Sequence, residues 1–280
     1  MSARASHPAP ARRRRSRRSP TAPPAPVHDL DGMLKRLHLP TVRRLYPDLA
    51  LRAEAEGMSY HTYLETLIAE EIAHRTETRV TRAVRAARFP FLRTIDDFNF
   101  SFQTALKQQM LGSYLGAELV TEGRSALFSG PSGTGKSHLC IAIAYRAIQH
   151  GYDARFVGAD ALIGELSRAA AKGRLEAALL PFLQPHVLVI DELGYLSHAP
   201  DAANVLYRVI NERYLHHKPM LLTTNKPLAA LGDVLHDGDL AEAILDRLLE
   251  RGVHFAMRGR SYRTRHLSEE ETPTRRAKTP

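Results

Sequence analysis

Gly130-Pro131-Ser132-Gly133-Thr134-Gly135-Lys136-Ser137, directly behind the apolar run Ala126-Leu127-Phe128, decides how this chain folds. The string fits G-x-x-x-x-G-K-[ST], a loop that joins a strand to a helix and wraps the phosphates of a nucleoside triphosphate. Gly130, Gly133 and Gly135 allow positive φ and leave no side chain between the peptide N–H groups and an anion. Lys136 offers charge to the β and γ phosphates, and Ser137 offers a hydroxyl to Mg²⁺. The helix expected from His138 to His150 aims its positive end at the same anion. The expected nucleotide-binding set is therefore residues 130–137 with His138, and the implied cofactors are ATP and Mg²⁺.

Outward from the loop, strands and helices alternate from about residue 103, which implies a parallel sheet covered on both faces. Strands are expected at 125–129, 154–158, 186–190, 220–224 and 253–257. The strand HVLVID closes on Asp191 and Glu192 at its C-terminal end, where open α/β sheets bind ligands. Asp191 there is expected to hold Mg²⁺ through water, and Glu192 to orient and polarise the attacking water. The strand MLLTTN ends in Asn225, a neutral amide able to hydrogen-bond a γ-phosphate oxygen or the water without adding negative charge. Arg247 lies in AEAILDRLLE beside Asp246, where a surface ion pair is the ordinary expectation, and Arg263 follows the last strand.

Composition narrows the remaining possibilities. With 280 residues, 44% of them hydrophobic, the chain has enough apolar mass for a real core. No apolar run approaches the roughly 18 residues of a membrane span, and no secretory signal opens the sequence, so no membrane partner is expected. Cys140 is the single cysteine, read as a core thiol, and a cytoplasmic location follows as the expectation. The 14 histidines form no metal-binding spacing.

The net charge of +9 is concentrated at the start of the chain. Residues 1–28 carry seven arginines, six prolines and no acid, which predicts a disordered tail. That tail reads as a nucleic-acid arm, as a solvated extension with no role, or as sequence ahead of a translation start near Met33. Residues 29–95 read as a small all-helical domain for DNA or partner binding, from the helical spacing of Leu30, Met33, Leu34 and Leu37 and of Tyr60, Leu64, Leu67, Ile68 and Ile72. Arg75, Arg79, Arg82, Arg85 and Arg88 recur along one drifting helical face. They form either a phosphate-contacting stripe or a solvated face neutralised by Glu70, Glu71 and Glu77. Phe89 to Phe102 reads as an extended linker pinned to the next domain. The ATPase domain is expected over 96–266, with a second disordered tail over 267–280.

GPSGTGKSHL, VIDELGYL, TTNKPL, AILDRLL and GRSYR, together with RAARFPFLRTIDDFNFSF, resemble the IstB-type transposition helper ATPases, relatives of the DnaC helicase loaders within the AAA+ class. The resemblance spans about residues 30–266 and implies a lidless AAA+ core, since only about 20 residues follow the last expected strand. It implies that Arg247 is an arginine finger reaching the ATP of a neighbouring subunit, and that Arg263 is the second sensor, with Arg258 and Arg260 close by. It further implies homo-oligomers on double-stranded DNA that stimulate a partner transposase, with a helicase loader as the alternative function. The arginine and proline tail and Ala199-Pro200 depart from the family pattern.

Overall fold

The computed structural model describes residues 29–194 and 201–264. The two expected tails and Ala199-Pro200 lie outside the described residues. The chain divides into two compact units between Ala73 and His74.

In the first unit, α1 (Leu30–Arg36) starts at Asp29, whose side chain accepts from the Gly32 N–H at 3.0 Å. Helix α2 (Pro40–Glu56) opens with proline, which needs no donor there, and closes on Gly57 in the left-handed region. Helix α3 (Tyr60–Ala87) begins in this unit and runs through the division. The core is small: Leu34, Val42 and Leu67 are buried together, packed by Tyr46, Leu49 and Tyr63. Buried Glu71 accepts from the backbone N–H groups of Thr41 (2.9 Å) and Val42 (3.2 Å), so its carboxylate satisfies donors at the start of α2 that have no partner within the helix.

The second unit holds a five-stranded parallel sheet of order β2-β3-β4-β1-β5. After a 3₁₀ turn at Gln108–Leu111 come α4 (Gly112–Leu115), α5 (Glu118–Thr121) and β1 (Ser125–Ser129). There follow α6 (Lys136–Gln149), β2 (Ala154–Gly158), α7 (Ala159–Ala171), α8 (Leu175–Leu183) and β3 (Val187–Asp191). The described chain then forms α9 (Ala202–Leu215), β4 (Met220–Thr224), α10 (Leu231–Leu235), α11 (Gly238–Glu250) and β5 (Gly252–Ala256). Each expected strand is present, with β3 and β5 shifted by one residue. This is the α/β core read from the sequence, and among the described residues only a 3₁₀ turn, Tyr262–Thr264, follows β5.

Alternate residues of the inner strands feed two cores, Leu127, Leu188, Ile190 and Leu222 on one face and Phe128, Val187, Val189 and Leu221 on the other, to which edge strand β5 adds Phe255. Ala83 and Ala87 of α3 belong to the second of these, so the C-terminal part of α3 packs within the same unit as the sheet. Cys140 is fully buried there, and burial pushes its thiol well above the usual range.

A guanidinium is sealed inside this unit. Arg213 of α9 is fully buried and donates to the carbonyls of Phe182 (2.7 Å), Pro185 (3.0 Å), His186 (2.7 Å) and Pro219 (2.9 Å). It fastens the chain entering β3 to the chain entering β4, at the opposite end of those strands from the site. Among the described residues no helix is long and apolar enough to cross a membrane.

Candidate functional site

Strand order brings the C-terminal ends of β3, β4 and β1 side by side, so Asp191, Asn225 and the loop after Ser129 converge although far apart in sequence. Between them lies a cavity of about 280 Å³, lined by Ser132, Gly133, Gly135, Lys136, Ser137, His138, Glu192, Asn225 and Arg263 among others. Gly130, Gly133 and Gly135 all have positive φ, at 142°, 80° and 95°. A β-carbon on Gly133 would collide with Ser261, and one on Gly135 with the Phe98 ring.

Lys136 folds back over its own loop, its Nζ donating to the carbonyls of Gly130 (2.7 Å) and Pro131 (2.8 Å). Burial lowers its pKa, an effect opposed by the nearby carboxylates of Asp191 and Glu192 and reinforced by Arg263. Ser137 Oγ donates to Asp191 Oδ1 at 2.8 Å, and Thr223 Oγ1 donates to the same oxygen at 2.5 Å. Glu192 stands at φ 60°, a conformation rare for a residue with a side chain. Asn225 Oδ1 is buried with no hydrogen-bond partner, and it lies so near Gly194 that a β-carbon there would strike it.

These features suit a magnesium nucleotide. Lys136 and Ser137 line the cavity beside glycines with positive φ, Ser137 and Asp191 present adjacent hard oxygen donors, and Asn225 leaves its Oδ1 to accept from a water while its amide N–H groups are the part that can donate to a phosphate oxygen. Among the described residues no group of three or more His, Cys, Asp or Glu side chains could hold a metal ion, so the cation would need oxygens from the nucleotide as well.

Two segments bracket the loop. Phe89 to Phe102 is not the extended linker expected from its aromatic alternation. It turns repeatedly, because Asp97 accepts from both the N–H and the hydroxyl of Thr94 and Asn99 Oδ1 accepts from the Phe102 N–H. It forms a strap: His138 Nε2 bonds the Thr94 carbonyl at 2.9 Å, Phe98 meets His138 edge to face, and Gln103 donates to the Thr134 carbonyl at 3.3 Å. On the other side the Tyr262 N–H donates to the Gly133 carbonyl at 2.9 Å, and the Tyr262 ring meets Phe102 at 5.1 Å. Phe91, Arg93, Thr223 and Tyr262 also line the cavity, and sequence reasoning misses all four. The aromatic run hints at the strap. A threonine inside a strand carries no signal of its own.

Arg263 lines the cavity, whereas Arg258 and Arg260 are not among its lining residues. Arg247 is elsewhere. Its Nε donates to Asn211 Oδ1 at 3.0 Å, its Nη1 to the Ala243 carbonyl, and its guanidinium lies 4.8 Å from the Tyr207 ring centre. The arginine stripe is also apart from the cavity. Arg75, Arg82 and Arg85 are exposed on α3 and Arg88 just beyond it, while Arg79 donates to the Ile148 carbonyl near the end of α6. Arg88 lies close enough to Arg155 on edge strand β2 to help lower the pKa of Arg155, behind the effect of burial.

Residues 32–270 match a family described as IstB-like ATP binding protein. A Geobacillus stearothermophilus protein named as a putative ATP-binding protein of insertion sequence IS5376 is 37% identical over 238 residues, covering 84% of this chain and 94% of its own. A Pseudomonas aeruginosa protein named in the same way for IS21 is 31% identical, covering 85% and 89%. Among solved structures, a crystal structure of DnaI is similar with a TM-score of 0.50 at 18% identity, covering 62% of this chain and 93% of that one; this likeness concerns the fold alone.

Proposed function

The chain belongs to the family of IstB-like ATP-binding proteins, and on that premise we propose that it is a Mg²⁺-dependent ATPase that assembles on double-stranded DNA and assists a partner transposase. The observation that carries the reading is the cavity in which the 130–137 loop meets Glu192 and Asn225, with Asp191 bonded to Ser137 beside it. A phosphate-binding loop alone would serve many nucleotide-binding proteins. A loop facing two acids and an amide at neighbouring strand ends suits hydrolysis.

In this reading Lys136 exchanges the carbonyls of Gly130 and Pro131 for phosphate oxygens. Ser137 and Asp191 hold the cation, which when bound neutralises charge on the β and γ phosphates. Glu192 orients the attacking water, Asn225 meets the γ-phosphate or that water, and Arg263 adds charge at the rim. Phe91 and Arg93 supply the wall against which the base rests. The family resemblance carries the role proposed for Arg247, a finger to the nucleotide of a second copy, which fits its place outside its own cavity and would make turnover depend on assembly. The exposed α3 arginines take DNA phosphates without reading sequence.

The names of the insertion-sequence relatives support transposition, and the DnaI likeness does not favour the helicase-loader alternative, because it extends only to the fold. The test is phosphate release with and without duplex DNA, paired with imaging on DNA in a nonhydrolysable ATP analogue. DNA-stimulated release and ordered assemblies support the proposal. Isolated monomers and no release would sink it.

A further inference from the structure

Thr223 is fully buried on β4, beside the end of β3, in a strand whose other residues are Met220, Leu221, Leu222 and Thr224, all buried. A hydroxyl in such a place needs partners, and this one has two, both on β3 or just past its end. Its proton goes to Asp191 Oδ1 at 2.5 Å, and its oxygen accepts the backbone N–H of Glu192 at 2.9 Å. The Thr223 carbonyl accepts from the next N–H, that of Leu193, at 2.8 Å. One residue therefore grips three successive positions at the end of β3.

The grip matters because of what it holds. Asp191 Oδ1 also accepts from Ser137, so Thr223 fixes the carboxylate that the loop hydroxyl faces. Glu192 sits at φ 60°, where a side-chain-bearing residue stays only if its surroundings hold it there. We infer that Thr223 is the positioning residue of the site: its single hydroxyl sets the rotamer of Asp191 and the backbone of Glu192 together, so the cation-holding acid and the water-orienting acid move as a pair. The inference rests on the nucleotide reading above. Thr223 acts through its two neighbours and takes no proton itself.

Thr223→Val keeps the shape and removes the hydroxyl. Its kcat for ATP should fall roughly tenfold to a hundredfold, the loss expected when reacting groups are displaced by about an ångström, with KM for ATP rising by no more than the loss in cation affinity. Calorimetric titration of Mg²⁺ into the protein with a nonhydrolysable ATP analogue should show about tenfold weaker binding of the cation, without any turnover being involved. Thr223→Ser, which restores the hydroxyl, should recover both. Wild-type kcat and Mg²⁺ affinity in Thr223→Val overturn the inference, as does a serine variant as impaired as the valine one. If the valine variant does not fold, Thr223→Cys, with a weak donor in a similar shape, should show the same split, and its absence is equally fatal. Lys136→Ala in parallel separates the two levels: if that variant also keeps full nucleotide binding, the nucleotide reading itself has failed.

Discussion

Arg247 Nε donates to Asn211 Oδ1 across 3.0 Å, tying α11 to α9, and the rings of Tyr207 and Tyr214 flank the same guanidinium. A long, half-buried cation is thereby held in one place at a helix face, instead of sweeping through solvent. Arg247→Ala should keep ATP affinity and lose DNA-stimulated turnover by roughly 10³-fold, measured by phosphate release over a range of protein concentrations. Wild-type turnover in that variant at high concentration removes the finger assignment.

Lys136 gives a prediction about pH. Burial lowers its pKa in the free protein, and phosphate at its ammonium raises it again. Below the free-state value both states are protonated and nucleotide affinity is at its maximum. As pH rises through that lowered value, binding must take up a proton and affinity falls. Calorimetry at alkaline pH in buffers of different ionisation enthalpy should detect proton uptake in the wild type and none in Lys136→Arg, whose guanidinium stays charged.

Arg213→Met should destabilise the second unit by about 3–5 kcal/mol, because four carbonyls, those of Phe182 and Pro219 in buried bonds, lose their donor while the methionine fills much of the space. Urea unfolding of the two proteins checks this. A change below about 1 kcal/mol would mean that water replaces the guanidinium at those carbonyls.

The α3 arginines separate by job. Arg82→Ala with Arg85→Ala should weaken duplex DNA binding and reduce the slope of log affinity against log salt by about one for each phosphate that the variant no longer neutralises. Arg79→Ala should act on thermal stability instead, since its guanidinium already serves the Ile148 carbonyl. Equal salt slopes in wild type and double variant would take the stripe out of the DNA interface.

Much of the site is legible in the sequence because its parts are short and local. A glycine pattern between strand and helix, and polar residues at strand ends, are written in consecutive letters; Asp191, Glu192 and Asn225 can be placed that way, and Arg263 through resemblance. What escapes depends on packing between distant stretches. The aromatics of Phe89 to Phe102 signal attachment to something, but not that the target is the loop carrying Gly135. Periodicity likewise identifies helices at Leu30 and Tyr60, yet Leu34 and Leu67 are buried whereas Tyr60, Leu64 and Ile72 remain exposed. Spacing fixes a helical face, and only packing decides which face is covered.

Phe98 resting where a Gly135 side chain would be has a consequence for how such a chain diverges. Position 135 cannot gain a β-carbon while that ring stays, and its positive φ resists the change even if the ring shrinks. Position 98, by contrast, is free to vary only within shapes that keep the glycine loop in place. A change at 98 therefore reaches the loop without touching any codon of it, through the ring that packs on Gly135 and meets His138 edge to face.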